Sequence, residues 1–414
     1  MKIKSLFFIC FTASTFYSLS AKPNLFGINI MGTVTGLQTG QSIILFDTQD
    51  SHKPSLTLQN GSFIYPNSYS VGESYYFSVT TSDGEYCDIV HGNGGPLYDN
   101  VNNVQINCNS SGNLFITIGQ QGQILFSIDG SNWNRSSNTI SSTLNDALVT
   151  GNSSFSVIGA GGTFYNFYRG WNQRNVSVNT AINSIALYTN TASNKLFVIV
   201  GDNGLIETSS DSVIWNLQSY SKPINILQVI NCNNNFYAVA DFTNLTTSAI
   251  ISSNSQAVTW SSVFSSNTGQ SYNSLACFST HHNDTDVVSS IIFATGNNGS
   301  LIKSTDGINW TSSTIASGLV FNQILSTVGG TLYVVGATLD GRNGVIYQSR
   351  DAGASWSRVS TPTNFSPLNS IAINTQGVVV VIGGNNIYTS SDNMLTWRLT
   401  YVGVAPLNKV RVLR

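Results

Sequence analysis

Four side chains able to ligate a divalent metal fall within six residues of this chain: His281, His282, Asp284 and Asp286, in the run His281-His282-Asn283-Asp284-Thr285-Asp286. Imidazole and carboxylate together suit a transition-metal ion. The run is nevertheless a polar insertion between apolar segments, which ordinarily means a solvated loop. No metal is expected there, and no cofactor elsewhere. Paired carboxylates are the second chemistry to test, because two acids about 5–10 Å apart can cleave a glycosidic bond. Apart from a recurring motif described next, the later chain offers Asp146, Asp202, Glu207, Asp241, Asp284, Asp286 and Asp340. These come from unrelated positions, and Glu207 is expected to face solvent from a strand. Gly-x-Ser-x-Gly, P-loop and Cys-x-x-Cys patterns do not occur, so nucleophilic, nucleotide and zinc chemistry find no support.

The remaining carboxylates recur with tryptophan. All seven tryptophans, Trp133, Trp171, Trp215, Trp260, Trp310, Trp356 and Trp397, are spaced 38 to 50 residues apart, a period typical of repeat architectures. Five end a Ser-x-Asp signature: Ser127/Asp129/Trp133, Ser209/Asp211/Trp215, Ser304/Asp306/Trp310, Ser349/Asp351/Trp356 and Ser390/Asp392/Trp397. Before Trp260, Ser255 stands where Asp is expected, and Trp171 keeps only an Arg169-Gly170-Trp171 turn. A short carboxylate can accept hydrogen bonds from the turn that folds over it. One copy per unit cannot converge with the others on a single substrate. The aspartates are therefore expected to hold turns, and the tryptophans to pack units together.

Each unit divides into four short strands. The first opens on an asparagine: Asn145, Asn183, Asn225, Asn273, Asn322, Asn369 and Asn408. These asparagines are expected to fix the turn entering the strand. A very apolar strand follows, such as Leu196–Val200 or Val378–Ile382, then a turn such as Gly201-Asp202-Asn203-Gly204, a third strand and the Ser-x-Asp turn. Apolar runs of this length suit strands covered on both faces. The unit ending at Trp133 lacks a first strand, while Pro406-Leu407-Asn408-Lys409-Val410-Arg411 repeats Pro367-Leu368-Asn369-Ser370-Ile371-Ala372 at the far end. A C-terminal strand that completes the first unit would close the array and remove its exposed edges.

With its Ser-x-Asp-x-Gly-x-x-Trp signature, this region resembles the Asp-box (BNR) repeats of sialidase-like and sortilin-type propellers. It looks most like the photosystem II assembly-factor-like propellers. The resemblance spans roughly 300 residues and implies a seven-bladed β-propeller closed by its C-terminal strand. It implies little chemistry, because a fold does not specify an activity. Sialidase-like enzymes resemble one another in an Arg-Ile-Pro segment that this chain lacks.

Composition sets the setting. Charged residues make up 9%, hydrophobic residues 41%, and the net charge is −2, so no basic footprint for nucleic acid exists. Lys2 and Lys4 precede an apolar run that reaches Leu19-Ser20-Ala21, a pattern that reads as a signal peptide over 1–21. A secreted, periplasmic or cell-surface protein follows, without a later membrane span, acting as a monomer. Residues 22–108 carry no repeat signature and read as a small Ig-like β-sandwich, with 109–414 as the propeller. Four cysteines remain beyond the signal. Cys87 and Cys108 are expected to pair, whereas Cys232 and Cys277, three residues out of register, leave open a bridge or two buried thiols. The expected role is a non-catalytic binding or assembly platform that meets a protein or glycan at its rim or funnel. A carbohydrate-active enzyme or lectin is the alternative.

Overall fold

The computed structural model describes residues 27–413, apart from isolated positions and the short segments 67–68, 82–85, 110–113, 152–153, 168–170, 221–223, 243–246, 267–268 and 282–287. The proposed signal peptide lies outside the described residues. The described chain is all-β, with only single 3-10 turns between strands. It forms nine four-stranded sheets, two before Asn109 and seven after it.

The first two sheets share one apolar cluster. One sheet contains Gly61–Ile64, Ile30–Thr35, Val101–Asn109 and Tyr86–Val90; the other contains Leu56–Leu58, Ile43–Asp47, Tyr75–Thr81 and Asn93–Gly94. Ile30, Ile43, Leu45, Tyr65, Tyr69 and Ile106 meet between them. Tyr86–Val90 was not evident from the sequence, because Asp88 interrupts its apolar alternation. It places Cys87 directly opposite Cys108, and a disulfide joins the two.

Each of the seven later sheets is an antiparallel meander whose innermost member is called here the inner strand. The inner strands are Leu144–Gly151, Ile182–Thr189, Ile224–Cys232, Tyr272–His281, Leu319–Ser326, Ser370–Ile373 and Leu407–Leu413. The last belongs to the first repeat sheet. It pairs antiparallel with Leu114–Gly119, from Leu407 opposite Gly119 to Leu413 opposite Leu114. The second strands are the apolar runs, and Leu114–Gly119 and Val379–Gly383 are buried along their whole length. Tight turns follow, with Gln121, Asn203 and Asn298 in the left-handed region. At Gly122 a Cβ would sit 1.8 Å from the Ile140 carbonyl oxygen, so only glycine fits.

Successive sheets are joined by clamps that the sequence did not assign. Asn145 donates through Nδ2 to the Ile182 carbonyl at 3.0 Å, and Asn183 to Ile226 at 3.1 Å. Asn273, Asn322 and Asn369 reach Phe321, Leu368 and Leu407 in the same way. Asn408 reaches Leu144 at 2.8 Å, across the two ends of the array. These asparagines tie one inner strand to the next; they do not merely fix an entry turn. The physical reason is a β-bulge at Asn145, Asn183, Asn273, Asn322 and Asn408 that breaks the pairing register there and turns the side chain out of its own ladder.

Asn225 is the exception. In its strand the bulge falls at Leu227 instead, and Asn225 accepts from the Asn203 backbone N–H. The clamp to the Tyr272–His281 strand is therefore absent, and the same two strands are joined by a Cys232–Cys277 disulfide. The register that left this pairing open was counted from the asparagines. Counted from the residues after the bulges, Gln228 and Ser274, the offset of the cysteines falls from three positions to one.

The tryptophans lie in apolar clusters that each draw on two sheets. Trp215 packs with Phe164 and Ile158 of the sheet before it, Trp260 with Val198 and Ile206, and Trp310 with Tyr237 and Ile250. Trp356, Trp397 and Trp171 repeat the arrangement with Phe293, Ile346 and Phe126. Trp133, near the start, packs with Val380 and Ile387, near the end.

Candidate functional site

Around the inner strands lies a cavity of roughly 500 Å³, within the range of small-molecule sites. Its wall includes Leu148, Leu187, Ile230, Leu325 and Val412, with Gln228, Gln323, Asn231, Ser326, Cys277 and Arg411 as polar members. The inner strands place these residues because side chains one step after each bulge turn toward the neighbouring sheet, and the next steps reach the cavity.

The step directly after the bulge forms a buried polar belt: Asp146, Ser184, Gln228, Ser274 and Gln323, joined by Ser370 and half-buried Lys409. Most members accept a backbone N–H from the following inner strand. Leu275 donates to Gln228 Oε1 at 2.7 Å, Ile324 to Ser274 Oγ at 3.2 Å, Ile371 to Gln323 Oε1 at 2.9 Å, and Val410 to Ser370 Oγ at 3.1 Å. Buried polar groups are tolerated only when so paired.

Charge concentrates where the two ends of the array meet. Arg411 donates from Nη2 to both Asp146 oxygens, at 2.8 and 3.0 Å, and from Nε to Oδ1 at 3.1 Å. Ser184 Oγ donates to Asp146 Oδ2 at 2.9 Å. Burial pushes the Asp146 carboxyl up, but the charges of Arg411 and Lys409 outweigh it and hold the group below its usual value. Lys409 is brought down to about 8, chiefly by burial and then by Arg411, with Asp146 opposing. Arg411 and Lys409 both lie on the inner strand Leu407–Leu413. The signal for this belt was present in the column that follows the asparagines, where Lys409 aligns with Ser370.

Other sequence candidates do not gather here. Glu207 is completely buried rather than facing solvent. Its strand pairs on both sides, and its carboxylate accepts from the Ser177 N–H at 3.1 Å and from the Ser177 hydroxyl. Asp241 accepts from Ser248, Asp202 from Asn183 Nδ2 at 2.8 Å, and Asp340 from Thr338 and the Arg342 N–H. His281 ends an inner strand, while His282, Asp284 and Asp286 lie outside the described residues. Among the described residues, no group of three metal-ligating side chains occurs.

The Ser-x-Asp aspartates are absorbed by their turns. Asp129 Oδ1 accepts the N–H groups of Ser131 and Asn132, both at 2.8 Å, and the Ser127 hydroxyl at 3.0 Å. Asp306 repeats this with Ile308, Asn309 and Ser304, Asp211 with Val213, Ile214 and Ser209. Asp351 and Asp392 hold turns one residue longer, through Ser355 and Thr396. Where Ser255 replaces Asp, Asn254 Oδ1 accepts the Gln256 N–H instead. The tryptophan indoles of Trp133 and Trp260 donate back to the turn carbonyls of Gly130 and Ala257.

Hydrogen bonds lower the pKa of these carboxyls, and that of Asp392 falls to about 2, chiefly through the Thr396 hydroxyl and N–H. Carboxylates lowered in the folded state contribute stability above their unfolded value of about 3.9 and lose it as pH falls toward the folded one. The melting temperature is expected to drop steadily between about pH 5 and pH 2, and Asp306→Ala to lower it by roughly 2–4 °C at neutral pH. A melting temperature for Asp306→Ala equal to that of the parent would contradict this account of the turn.

Residues 209–360 match the DUF6242 β-propeller domain family. No curated protein matches the chain by sequence. Among solved structures, a protein from Lactobacillus plantarum is similar at a TM-score of 0.53 and 11% identity, over 73% of this chain and 99% of that one. YCF48 from Cyanidioschyzon merolae aligns at 0.48 and 14% identity, over 63% and 87%. YCF48 bound to D1 peptide aligns at 0.47 and 15%, over 62% and 80%. The repeat region is a β-propeller. At such identities the likeness concerns the fold alone.

Proposed function

We propose that this chain is an exported, non-catalytic binding platform: a β-sandwich over 22–108 followed by a seven-bladed Asp-box propeller closed by its C-terminal strand. The observation that carries the reading is the state of the acids. Every carboxylate described after Cys108 is hydrogen-bonded within the protein, from Asp129 to Asp392. Glycoside hydrolysis requires two acids facing one substrate, whereas these are engaged with the protein's own turns and strands.

A protein partner is favoured over a glycan. The tryptophans that would stack on sugars are engaged between sheets. Exposed aliphatic side chains instead recur at the Ser-x-Asp turns, in Val213, Ile214, Val258, Ile308 and Leu395. Closure is supported by the Asn408–Leu144 clamp and by Trp133 packing against the last sheet.

Two assays separate the readings. The purified chain is expected to turn over no fluorogenic glycoside and to retain no glycan on an array, while retaining a protein from envelope extracts of its host. Hydrolysis abolished by Glu207→Gln or Asp284→Asn would establish the enzyme reading instead.

A further inference from the structure

We infer that the inner-strand cavity is a binding site for a small organic anion, a carboxylate carried on an apolar body, with Arg411 as its anchor. This goes beyond the platform reading, since it concerns the interior rather than the rim.

Three observations converge. The wall is a half-buried aliphatic surface, formed by Leu148, Leu187, Ile230, Leu325 and Val412, which favours an apolar ligand body. Arg411 is the charged residue of that wall. Its guanidinium is held rigid through Nε and Nη2 on Asp146, which leaves Nη1 free of hydrogen bonds to the described residues and the side chain 30% exposed. A donor fixed in this way loses little freedom on binding an oxyanion.

The third observation is a charge imbalance. One carboxylate, Asp146, faces two cations, Arg411 and Lys409. Among the described residues neither a hydrogen bond nor an ion pair neutralises Lys409, which lies between Ser370 and Asp146 in the belt, two positions before Arg411 of the cavity wall. Burial and the neighbouring Arg411 charge disfavour its ammonium form. A ligand carboxylate would restore neutrality to the cluster, whereas a ligand cation would worsen it. Other polar groups near the floor are already spent on backbone, so the selectivity comes from charge and shape.

The test is titration calorimetry of the full chain at pH 7 with octanoate, octanamide and octylamine. Octanoate is expected to bind about tenfold or more tightly than the neutral amide, the usual worth of a charged hydrogen bond, and the amine not to bind. Leu325→Trp, which fills the cavity without touching the ion pair, is expected to weaken octanoate about tenfold or more with the melting temperature retained. Asp146→Asn keeps the hydrogen-bonding shape but frees the Arg411 charge, and is expected to tighten binding several-fold. Lys409→Met is expected to weaken it. Equal binding of octanoate and octanamide, no binding of either, or octanoate binding indifferent to Leu325→Trp would each overturn the proposal.

Discussion

Removing residues 407–414 is expected to abolish cooperative folding of the repeat sheets, the largest effect of any local change. The deletion takes away the strand that pairs with Leu114–Gly119 along its length. It also removes the Asn408–Leu144 and Asn369–Leu407 clamps and the Leu407 and Val410 side chains from a fully buried cluster. What remains is an apolar strand with an open edge, which is a template for aggregation. Circular dichroism and light scattering on the truncated chain would show non-cooperative melting and oligomers. A monomer that melts sharply at the parent temperature would mean that the array tolerates an open end. Supplying the missing strand as a synthetic peptide should restore cooperativity, because pairing and packing need no covalent link.

Arg411→Ala is expected to destabilise by about 3–5 kcal/mol, the usual cost of stranding a buried charge. Asp146 has 2% of its side chain exposed against 30% for Arg411, so the carboxylate left behind cannot reach water. Of the two cations only Lys409 would then oppose the burial of the carboxyl, so the carboxyl's pKa would rise and stability would fall as pH rises. In the parent the dependence has the opposite sign, since Asp146 is held below its usual value and the pair weakens as pH falls. Urea denaturation of Arg411→Ala between pH 5 and pH 8 measures both. Joint replacement, Asp146→Leu with Arg411→Met, should recover much of the loss, as a matched apolar pair avoids desolvating either charge. Equal stability of Arg411→Ala and the parent would show that solvent reaches Asp146.

The reach of the sequence can be followed residue by residue. Periodic tryptophans and the Ser-x-Asp turns announced the repeats because both signals are local: a carboxylate bonds N–H groups two and three residues ahead. The likeness of the tail to Pro367–Ile373 was equally readable, being a comparison of the chain with itself. Contacts between units were not. The asparagines were visible as a column, but their partners lie 37 or more residues away, and a β-bulge decides whether the side chain turns toward them. Glu207 was misplaced for a related reason, because the loop that covers it belongs to the preceding unit. The cavity belt failed for a third: a polar residue on an apolar strand looks like an interruption until the neighbouring backbone that satisfies it is known.

The disulfide between Ile224–Cys232 and Tyr272–His281 has a consequence for where the protein can be sturdy. Six junctions between inner strands are held by an asparagine clamp that forms in any compartment; at this one the bulge has moved, Gln228 bonds the Leu275 backbone instead, and a covalent bond is added. The bonding of this junction therefore changes when two thiols give up their electrons. Before that oxidation, this junction rests on the Gln228–Leu275 hydrogen bonds and on apolar packing. Cytosolic thiols stay reduced and exported ones do not, so the covalent reinforcement of this junction would form only in an oxidising compartment.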